Sequence, residues 1–369
     1  MIKKHSSTKN TQSWLYSRPS YSGYSEVKIG IPHSMISQNT SPVTISMDPY
    51  IKEILRELDT LGIDIEFTYS YGYLLMSLTT KSCKKISELL SLLISHIISL
   101  NPGSIDVVKY ELSPYQSGMT VLALMLNNKL LLNEVNSINY APDNNINKIQ
   151  IIFIGNPIID LNIPPSPLDM KLSISEFELI SDTHIALDYN IGGMINIYGG
   201  ISFPSPKSAN SLLVLSEILE MMVMDRLRIQ CGMIYGVNVY SRGNHLLFST
   251  TINETDYFKS CRLLDELMRD FHNRNFMPYI LQGYNKAKQY FEIISEAPAT
   301  QANWYWDFLF YRNFKCGPIP LIRWDRNEVF EHLMEDVFST NVSAWKWVYI
   351  GKKSFLKEKT VLDPSSLIR

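Results

Sequence analysis

The sequence runs through one order of elements twice, and that duplication limits the fold more than any other feature of the chain. Leu74-Leu75-Met76-Ser77 is answered by Leu246-Leu247-Phe248-Ser249, Thr79-Thr80 by Thr250-Thr251, and Leu89-Leu90 by Leu263-Leu264. Leu55-Arg56 is answered by Leu227-Arg228. Each half closes on an aromatic-aliphatic run ending Ile-Gly, at Ile154-Gly155 and at Ile350-Gly351. The order in each is strand, helix, hairpin, helix, helical region, final strand. Antiparallel hairpins with helices packed on a face predict an α+β class: two homologous domains, each a mainly antiparallel sheet flanked by helices.

In the first half, 26–31 alternates enough for a strand. Asp48 then caps a helix with Pro49 in its first turn and Ile51, Ile54, Leu55 and Leu58 on one face; Gly62 ends it. The segments 63–68 and 74–80 read as a hairpin joined at Tyr71-Gly72. Ile86, Leu89, Leu90, Leu93, Ile94 and Ile97 describe an amphipathic helix, stopped by Asn101-Pro102-Gly103. A weaker helical region over 118–136 leads through an Asn-rich turn at 143–147 to a strand over 149–154. In the second half, 184–189, 246–252 and 345–350 read as strands, and 257–271 and 327–338 as helices. A longer helical region, 279–312, is interrupted at Pro298. The proline-rich stretch 157–167 marks the boundary between domains over 26–160 and 161–355, with a polar arm at 1–25 and a tail at 356–369.

Composition removes several classes of function. A chain of 369 residues with 45% hydrophobic content has enough apolar material for two cores. Lys plus Arg number 34 against 36 for Asp plus Glu, so no basic excess points to nucleic acid. The four cysteines, Cys83, Cys231, Cys261 and Cys316, lie far apart without a C-x-x-C pair. That suits reduced thiols in a cytoplasmic setting better than a disulfide scaffold or a structural zinc site. The first 24 residues show no apolar signal region, and the most apolar run, 86–100, is too short to span a bilayer and carries Glu88 and His96. The expectation is no membrane and no nucleic acid.

The sharpest stretch is 211–240. Leu212, Leu215, Leu219, Met222 and Val223 recur at three and four and make one buried helical face. Asp225, Arg226 and Arg228 crowd the last turns, and Gly232 stands where a helix stop belongs. The following 233–240 reads as a strand with Tyr235, Val237 and Val239 on one face. The run Leu227-Arg228-Ile229-Gln230-Cys231-Gly232-Met233-Ile234-Tyr235-Gly236-Val237 resembles the L-R-x-x-x-G-x-x-Y-x-V element of the pitrilysin, insulinase and mitochondrial-processing-peptidase family of zinc peptidases. Asn285-Lys286-Ala287-Lys288-Gln289 and Glu296-Ala297-Pro298 are similar to that family's interrupted helix, and the likeness extends over roughly 26–352. It implies the same duplicated α+β order, and it implies that Arg228 and Tyr235 hold a scissile carbonyl opposite a zinc ion.

The zinc chemistry itself is missing from the sequence. Catalytic members of that family carry H-x-x-E-H, two metal ligands and a general base on one helical face. Here the seven histidines are His5, His33, His96, His184, His245, His272 and His332, and no two share a helical face. Glu111 falls where a downstream ligand would stand, but with no histidines beside it a solvated or capping role fits better. There is no G-x-S-x-G, no Walker loop and no G-x-G-x-x-G; Gly192-Gly193 and Gly199-Gly200 read as turns without a phosphate role. Among the aromatics at Trp304, Tyr305, Trp306, Phe308, Phe310 and Tyr311, helix core is the first reading and a contact surface the second.

The resemblance therefore implies a non-catalytic subunit of a two-chain zinc peptidase. No cofactor is expected in this chain. Zinc and the general base belong to an H-x-x-E-H-bearing homologous partner in a heterodimer, and the substrate is an unfolded peptide bound as an added strand, in some relatives a ribosomally made precursor. Arg228 also reads as a cation favoured by the dipole at a helix end, and Tyr235 as a core tyrosine with a satisfied hydroxyl. Those plainer readings lead to the alternative: a purely structural or binding homologue, like the core subunits of a respiratory complex.

Overall fold

The computed structural model describes residues 3–7, 11–16, 24–32, 45–70, 73–81, 84–99, 113–127, 149–155, 180–204, 208–242, 244–296, 299, 302–303, 306, 324–356 and 360–362. The chain packs as two units. The first comprises Met1–Lys109, Ser137–Ser175 and Ile293–Gly317; the second comprises Tyr110–Asn136, Glu176–Glu292 and Pro318–Arg369. The linker at 157–167, the turns at Tyr71-Gly72, 101–103 and 143–147, Glu111, Cys83, Cys316 and Pro298 lie outside the described residues.

In the first unit the strands are β1 (Lys3–Ser7), β2 (Thr11–Tyr16) and β3 (Ser25–Pro32). Helix α1 (Pro49–Thr60) precedes β4 (Glu66–Ser70) and β5 (Tyr73–Thr80), and α2 (Lys84–Ser99) precedes β6 (Ile149–Ile154). They form one sheet in the order β1-β2-β6-β3-β5-β4, antiparallel except where β2 runs beside β6. Alternation puts Val27, Ile29 and Ile31 of β3 on the face that meets Ile51, Ile54 and Leu58 of α1 and Leu90, Leu93 and Ile94 of α2. Asp48 caps α1 as expected, accepting from the amides of Tyr50 (3.0 Å) and Ile51 (3.1 Å). The expected polar arm needs correction: residues 3–7 and 11–16 are strands of the sheet. Their Ser, Thr and Lys do not alternate regularly with apolar residues, so the sequence shows no strand period there.

The second unit repeats that plan. Helix α3 (Pro114–Leu126) is followed by β7 (His184–Asp188), β8 (Met194–Ser202), α4 (Ala209–Val223), β9 (Ile234–Arg242) and β10 (His245–Asn253). Then come α5 (Tyr257–His272), α6 (Ile280–Glu296), α7 (Arg326–Phe338), β11 (Lys346–Gly351) and β12 (Thr360–Leu362). The sheet order is β12-β7-β11-β8-β10-β9. In strand order this matches the first sheet, with β7 standing for β2 and β11 for β6, except that β1 runs antiparallel to β2 while β12 runs parallel to β7. The expected tail likewise holds a strand, β12, parallel to β7.

The duplication extends to register. Leu75 lies opposite Gly30, and Leu247 opposite Gly200. Ile154 lies opposite Glu26, and Ile350 opposite Asn196. A side-chain hydrogen bond recurs too: Thr79 Oγ1 donates to Glu26 Oε2 at 2.6 Å, and Thr251 Oγ1 to Asn196 Oδ1 at 2.8 Å. Thr79 therefore matches Thr251, one residue off the pairing of Thr79-Thr80 with Thr250-Thr251.

Two local expectations change. Gly192 (φ 69°) and Gly193 (φ 79°) do form a turn, but Gly199 and Gly200 sit inside β8. A Cβ there would stand 2.6 Å from the Trp347 ring or from Leu126 Cδ1, so these glycines let neighbours approach the sheet. The weak helical region over 118–136 is α3, which starts earlier at a Ser113/Gln116 capping box and stops at Asn127 (φ 52°). Its residues 117–126 are all buried, which is why no single apolar stripe shows in the sequence.

Packing units and sequence halves are not the same objects. Helix α3 lies before the linker yet packs on β8 and β11 of the second unit, with Gly118 against Tyr198 and Ile350. Trp306 lies after the linker yet belongs to the first unit, buried edge-on to Tyr73 and seated over Gly30. Trp306 is thus core, as expected; Trp304, Tyr305, Phe308, Phe310 and Tyr311 lie outside the described residues. Among the described residues no helix is long and apolar enough to cross a membrane.

Candidate functional site: the turn between α4 and β9

Helix α4 is held by Ser208, whose hydroxyl accepts from the Ser211 amide at 3.1 Å, and by Leu212, Leu215, Leu219, Met222 and Val223, all buried as the periodicity predicts. At Met224 the helix widens into a π turn, Met224–Ile229, where the Gln230 amide reaches back five residues to the Asp225 carbonyl (3.0 Å). Gly232 (φ 64°) reverses the chain. Its amide bonds to the Arg228 carbonyl at 2.9 Å and the Met233 amide to the Leu227 carbonyl at 2.8 Å.

Four consecutive residues of the π turn have different fates. Asp225 Oδ2 accepts from the Tyr279 hydroxyl (3.0 Å) and from Gln230 Nε2 (3.1 Å). Arg226 donates to Asp270 Oδ2 at 2.9 Å, and Asn275 donates to the other oxygen of that carboxylate at 2.8 Å. Leu227 is fully buried. Arg228 is exposed and makes no hydrogen bond or ion pair among the described residues. Burial, and then the carboxylate of Asp225 beside it, holds the Tyr279 hydroxyl above its ordinary range, so it stays a donor.

The strand that follows is irregular as well. Thr250 pairs with Val237 and Ile252 with Ile234, so β9 spends three steps where β10 spends two. This bulge lies at Tyr235-Gly236, and Thr250 Oγ1 fastens it by donating to the Gly236 carbonyl at 2.8 Å. Its effect corrects the sequence reading. Tyr235 does not share the core face with Val239; Ile234 takes the buried position and Tyr235 is 82% exposed. Its hydroxyl, like the Arg228 guanidinium, has no partner among the described residues. A large aromatic exposed to that degree is a poor use of core material, and both it and the exposed Arg228 are left available to a ligand.

Neither irregularity is visible in composition, but one signal was present in the spacing. Phe67 pairs with Met76 as Val239 pairs with Phe248. From Gly62 to Phe67 the chain takes five steps; from Gly232 to Val239 it takes seven.

Among the described residues there is no group of three or more His, Cys, Asp or Glu placed to hold a metal ion. His245 and His272 are spent on packing. His245 is buried with Nε2 3.4 Å from the Leu126 carbonyl, and His272 Nε2 accepts from Trp345 Nε1 at 3.1 Å. Burial pushes both down to about 4. His96 faces Asp48 at 3.2 Å, and His184 faces the Tyr349 hydroxyl at 3.3 Å.

No family model matches the sequence, and no curated protein does. Solved structures do match the fold along nearly the whole chain. A peptidase M16 inactive domain from Pseudomonas fluorescens superposes with a TM-score of 0.60 at 12% identity, covering 95% of this chain and 98% of that one. The chain has the fold of an M16 peptidase domain. A protease from Helicobacter pylori gives a TM-score of 0.58 at 11% identity over 95% of this chain and 99% of the other. The first half of the periplasmic protease PqqL from Escherichia coli gives 0.54 at 10% identity, covering 100% and 95%. Identity this low carries the fold alone. Within the M16 fold, the duplicated sheets and the α+β class stand as the sequence predicted.

Proposed function

We propose that this chain is the non-catalytic subunit of a heterodimeric zinc metallopeptidase acting on unfolded peptides, and that Arg228 and Tyr235 complete the site of an H-x-x-E-H-bearing homologous partner. The observation that carries this reading is the pair of backbone irregularities that leave Arg228 and Tyr235 exposed and unpaired on one short crossing. An arginine and a tyrosine hydroxyl in such a place suit a polarised carbonyl and the oxyanion that forms from it. The zinc and the general base would come from the partner, so peptide cleavage would be a property of the pair. A relative of like fold is itself the first half of a longer protease, which supports pairing between homologous halves. Among the described residues, strand β9 is the outermost strand of its sheet, and an extended peptide fits a sheet edge of that kind. The four cysteines lie far apart in the sequence without a C-x-x-C pair, which suits a reducing, cytoplasmic setting.

The test is reconstitution. The purified chain alone should hold no stoichiometric zinc and cleave no peptide. Mixed with a homologue carrying H-x-x-E-H, it should form a heterodimer burying at least about 1,000 Å² and acquire chelator-sensitive cleavage. One tightly bound zinc per isolated chain, with proteolysis to match, would overturn the reading. Assembly without any cleavage would favour the purely structural homologue.

A further inference from the structure

We infer that Asp225, Tyr279 and the Arg226–Asp270 pair are positioning residues, which hold the widened turn open and so fix the direction of Arg228. This rests on the reading above for its consequence in catalysis, but not for its structural claim. A π turn is a helix with one residue too many, and it survives only where its surroundings hold it. Here the holding groups lie on both sides of the insertion. The Asp225 carboxylate is tied forward to Gln230 and outward to Tyr279, in the short helical turn Met277–Tyr279. Arg226 is tied to Asp270 near the end of α5, and Asn275 braces that carboxylate from the other side.

Leu227 is fixed by burial. With the residues on each side anchored, the chain cannot shed the extra residue without rotating what remains, and the residue free to rotate is Arg228. Relaxation to a regular helix turns each later residue by about 100° about the axis. An exposed side chain displaced by that much no longer meets a carbonyl placed for it. None of the anchoring groups needs to touch substrate to have this effect.

Three single variants test the inference in the full chain. Tyr279→Phe removes one hydroxyl, Asp270→Asn removes one charge and keeps its shape, and Tyr284→Phe is a control. Tyr284 donates to the Trp324 carbonyl at 2.7 Å in the same unit and makes no hydrogen bond to the π turn. Hydrogen exchange followed by mass spectrometry on the peptide spanning 224–233 should rise roughly tenfold in Tyr279→Phe and Asp270→Asn, the scale of one charge-assisted hydrogen bond. In Tyr284→Phe it should not move. In the reconstituted peptidase, kcat should fall about ten- to a hundredfold for the two test variants with KM within about twofold, and stay near wild type for the control. Unchanged exchange over 224–233 in both test variants overturns the inference, whatever the kinetics. Raised exchange with kcat unaltered overturns its catalytic consequence. Raised exchange where the wild-type pair itself cleaves nothing leaves the positioning intact and refutes the peptidase reading.

Discussion

The two units solve the same problem, leaving a helix and entering the outer strand of a sheet, with different amounts of chain. In the first, α1 ends regularly: the Ile63 amide returns five residues to the Leu58 carbonyl (3.0 Å), and Gly62 (φ 73°) turns the chain. In the second, the Met233 amide returns six residues to Leu227, so the helix end holds one more residue, and the bulge in β9 lengthens the way to the strand register further. Leu58 and Leu227 are both fully buried and accept equivalent bonds, so they are the matched pair. That corrects the sequence pairing of Leu55-Arg56 with Leu227-Arg228. Arg228 stands where the first unit has Asp59, and Tyr235 lies in residues the first unit lacks. The shared part carries the core; of the two exposed side chains, Arg228 replaces a residue of the shared part and Tyr235 falls in the added one.

The largest expected effect follows from that difference. In the reconstituted peptidase, Tyr235→Phe should lower kcat on the order of 10²–10³-fold, as removal of one preorganised oxyanion donor does. Arg228→Lys should fail similarly if the guanidinium fork engages the carbonyl through two bonds. Neither change should alter assembly, measured by size exclusion, because both side chains lie outside the core. Arg56→Lys, in the first unit's regular helix end, should leave kcat unchanged. Near wild-type turnover in all three would reduce Arg228 to a helix-end cation and return Tyr235 to a surface residue without a role.

Most of the sheet-and-helix order was legible because buried faces impose periodicity: β3, α1, α2, α4, α5 and β10 all lie where alternation or three-and-four spacing put them. Strands β1, β2 and β12 were missed, since such short segments show no regular apolar alternation in the sequence. Helix α3 was blurred because it is buried all round. For the proposed site, the sequence singled out two side chains but misplaced one of them. The run from Leu227 to Val237 marked Arg228 and Tyr235, but regular alternation wrongly set Tyr235 beside Val239. Only the one-residue offset of the bulge turns it out. An insertion of this kind changes spacing by a residue or two, which a repeat comparison without fixed register absorbs unnoticed.

Core truncation sharpens the comparison next. Leu58→Ala and Leu227→Ala should each cost about 2–5 kcal/mol in denaturant unfolding, since both remove a fully buried side chain. Only Leu227→Ala should also depress kcat, because Leu227 is the fixed residue beside Arg228. Equal kinetic effects from both positions would break the distinction between the two helix ends.

Acid should separate the units as well. His245 and His272 belong to the second unit and are held near 4 by burial, against about 6.5 in an unfolded chain. A depressed histidine contributes stability that is whole above pH 6.5 and is lost as pH falls from 6.5 toward 4, because the unfolded state takes the proton first. The buried His245 contributes up to about 3 kcal/mol over that window, and the half-buried His272 less, because solvent screens it. Hydrogen exchange in β8 and β10, corrected for the intrinsic amide rate at each pH, should therefore accelerate between pH 6.5 and 4.5 more than in β3 and β5. His272→Gln should shrink the difference, since an amide oxygen can still accept from Trp345 Nε1 without titrating. Equal acceleration in the two sheets would remove the assignment.

The smallest effect concerns the helix starts, where the units use one device in two chemistries. Asp48 caps α1 and Ser208 caps α4, each by accepting backbone amides in the first turn. At neutral pH, Asp48→Ala and Ser208→Ala should each cost about 1 kcal/mol. The costs should part in acid. The Ile51 amide, with His96 and the Tyr50 amide adding to it, holds the Asp48 carboxyl below its ordinary value of 3.8. A carboxylate depressed in the folded state stabilises above the ordinary value and loses that contribution as pH falls through its folded one. Below pH 3.8, then, the penalty of Asp48→Ala should fade, because the wild-type cap is itself being protonated. The Ser208→Ala penalty should persist, because a hydroxyl does not titrate. Chemical denaturation of the two variants and the parent between pH 7 and 3 measures both curves. A pH-independent penalty at Asp48 would mean that its neutral acid caps α1 as well as its anion does, and that the two helix starts are equivalent after all.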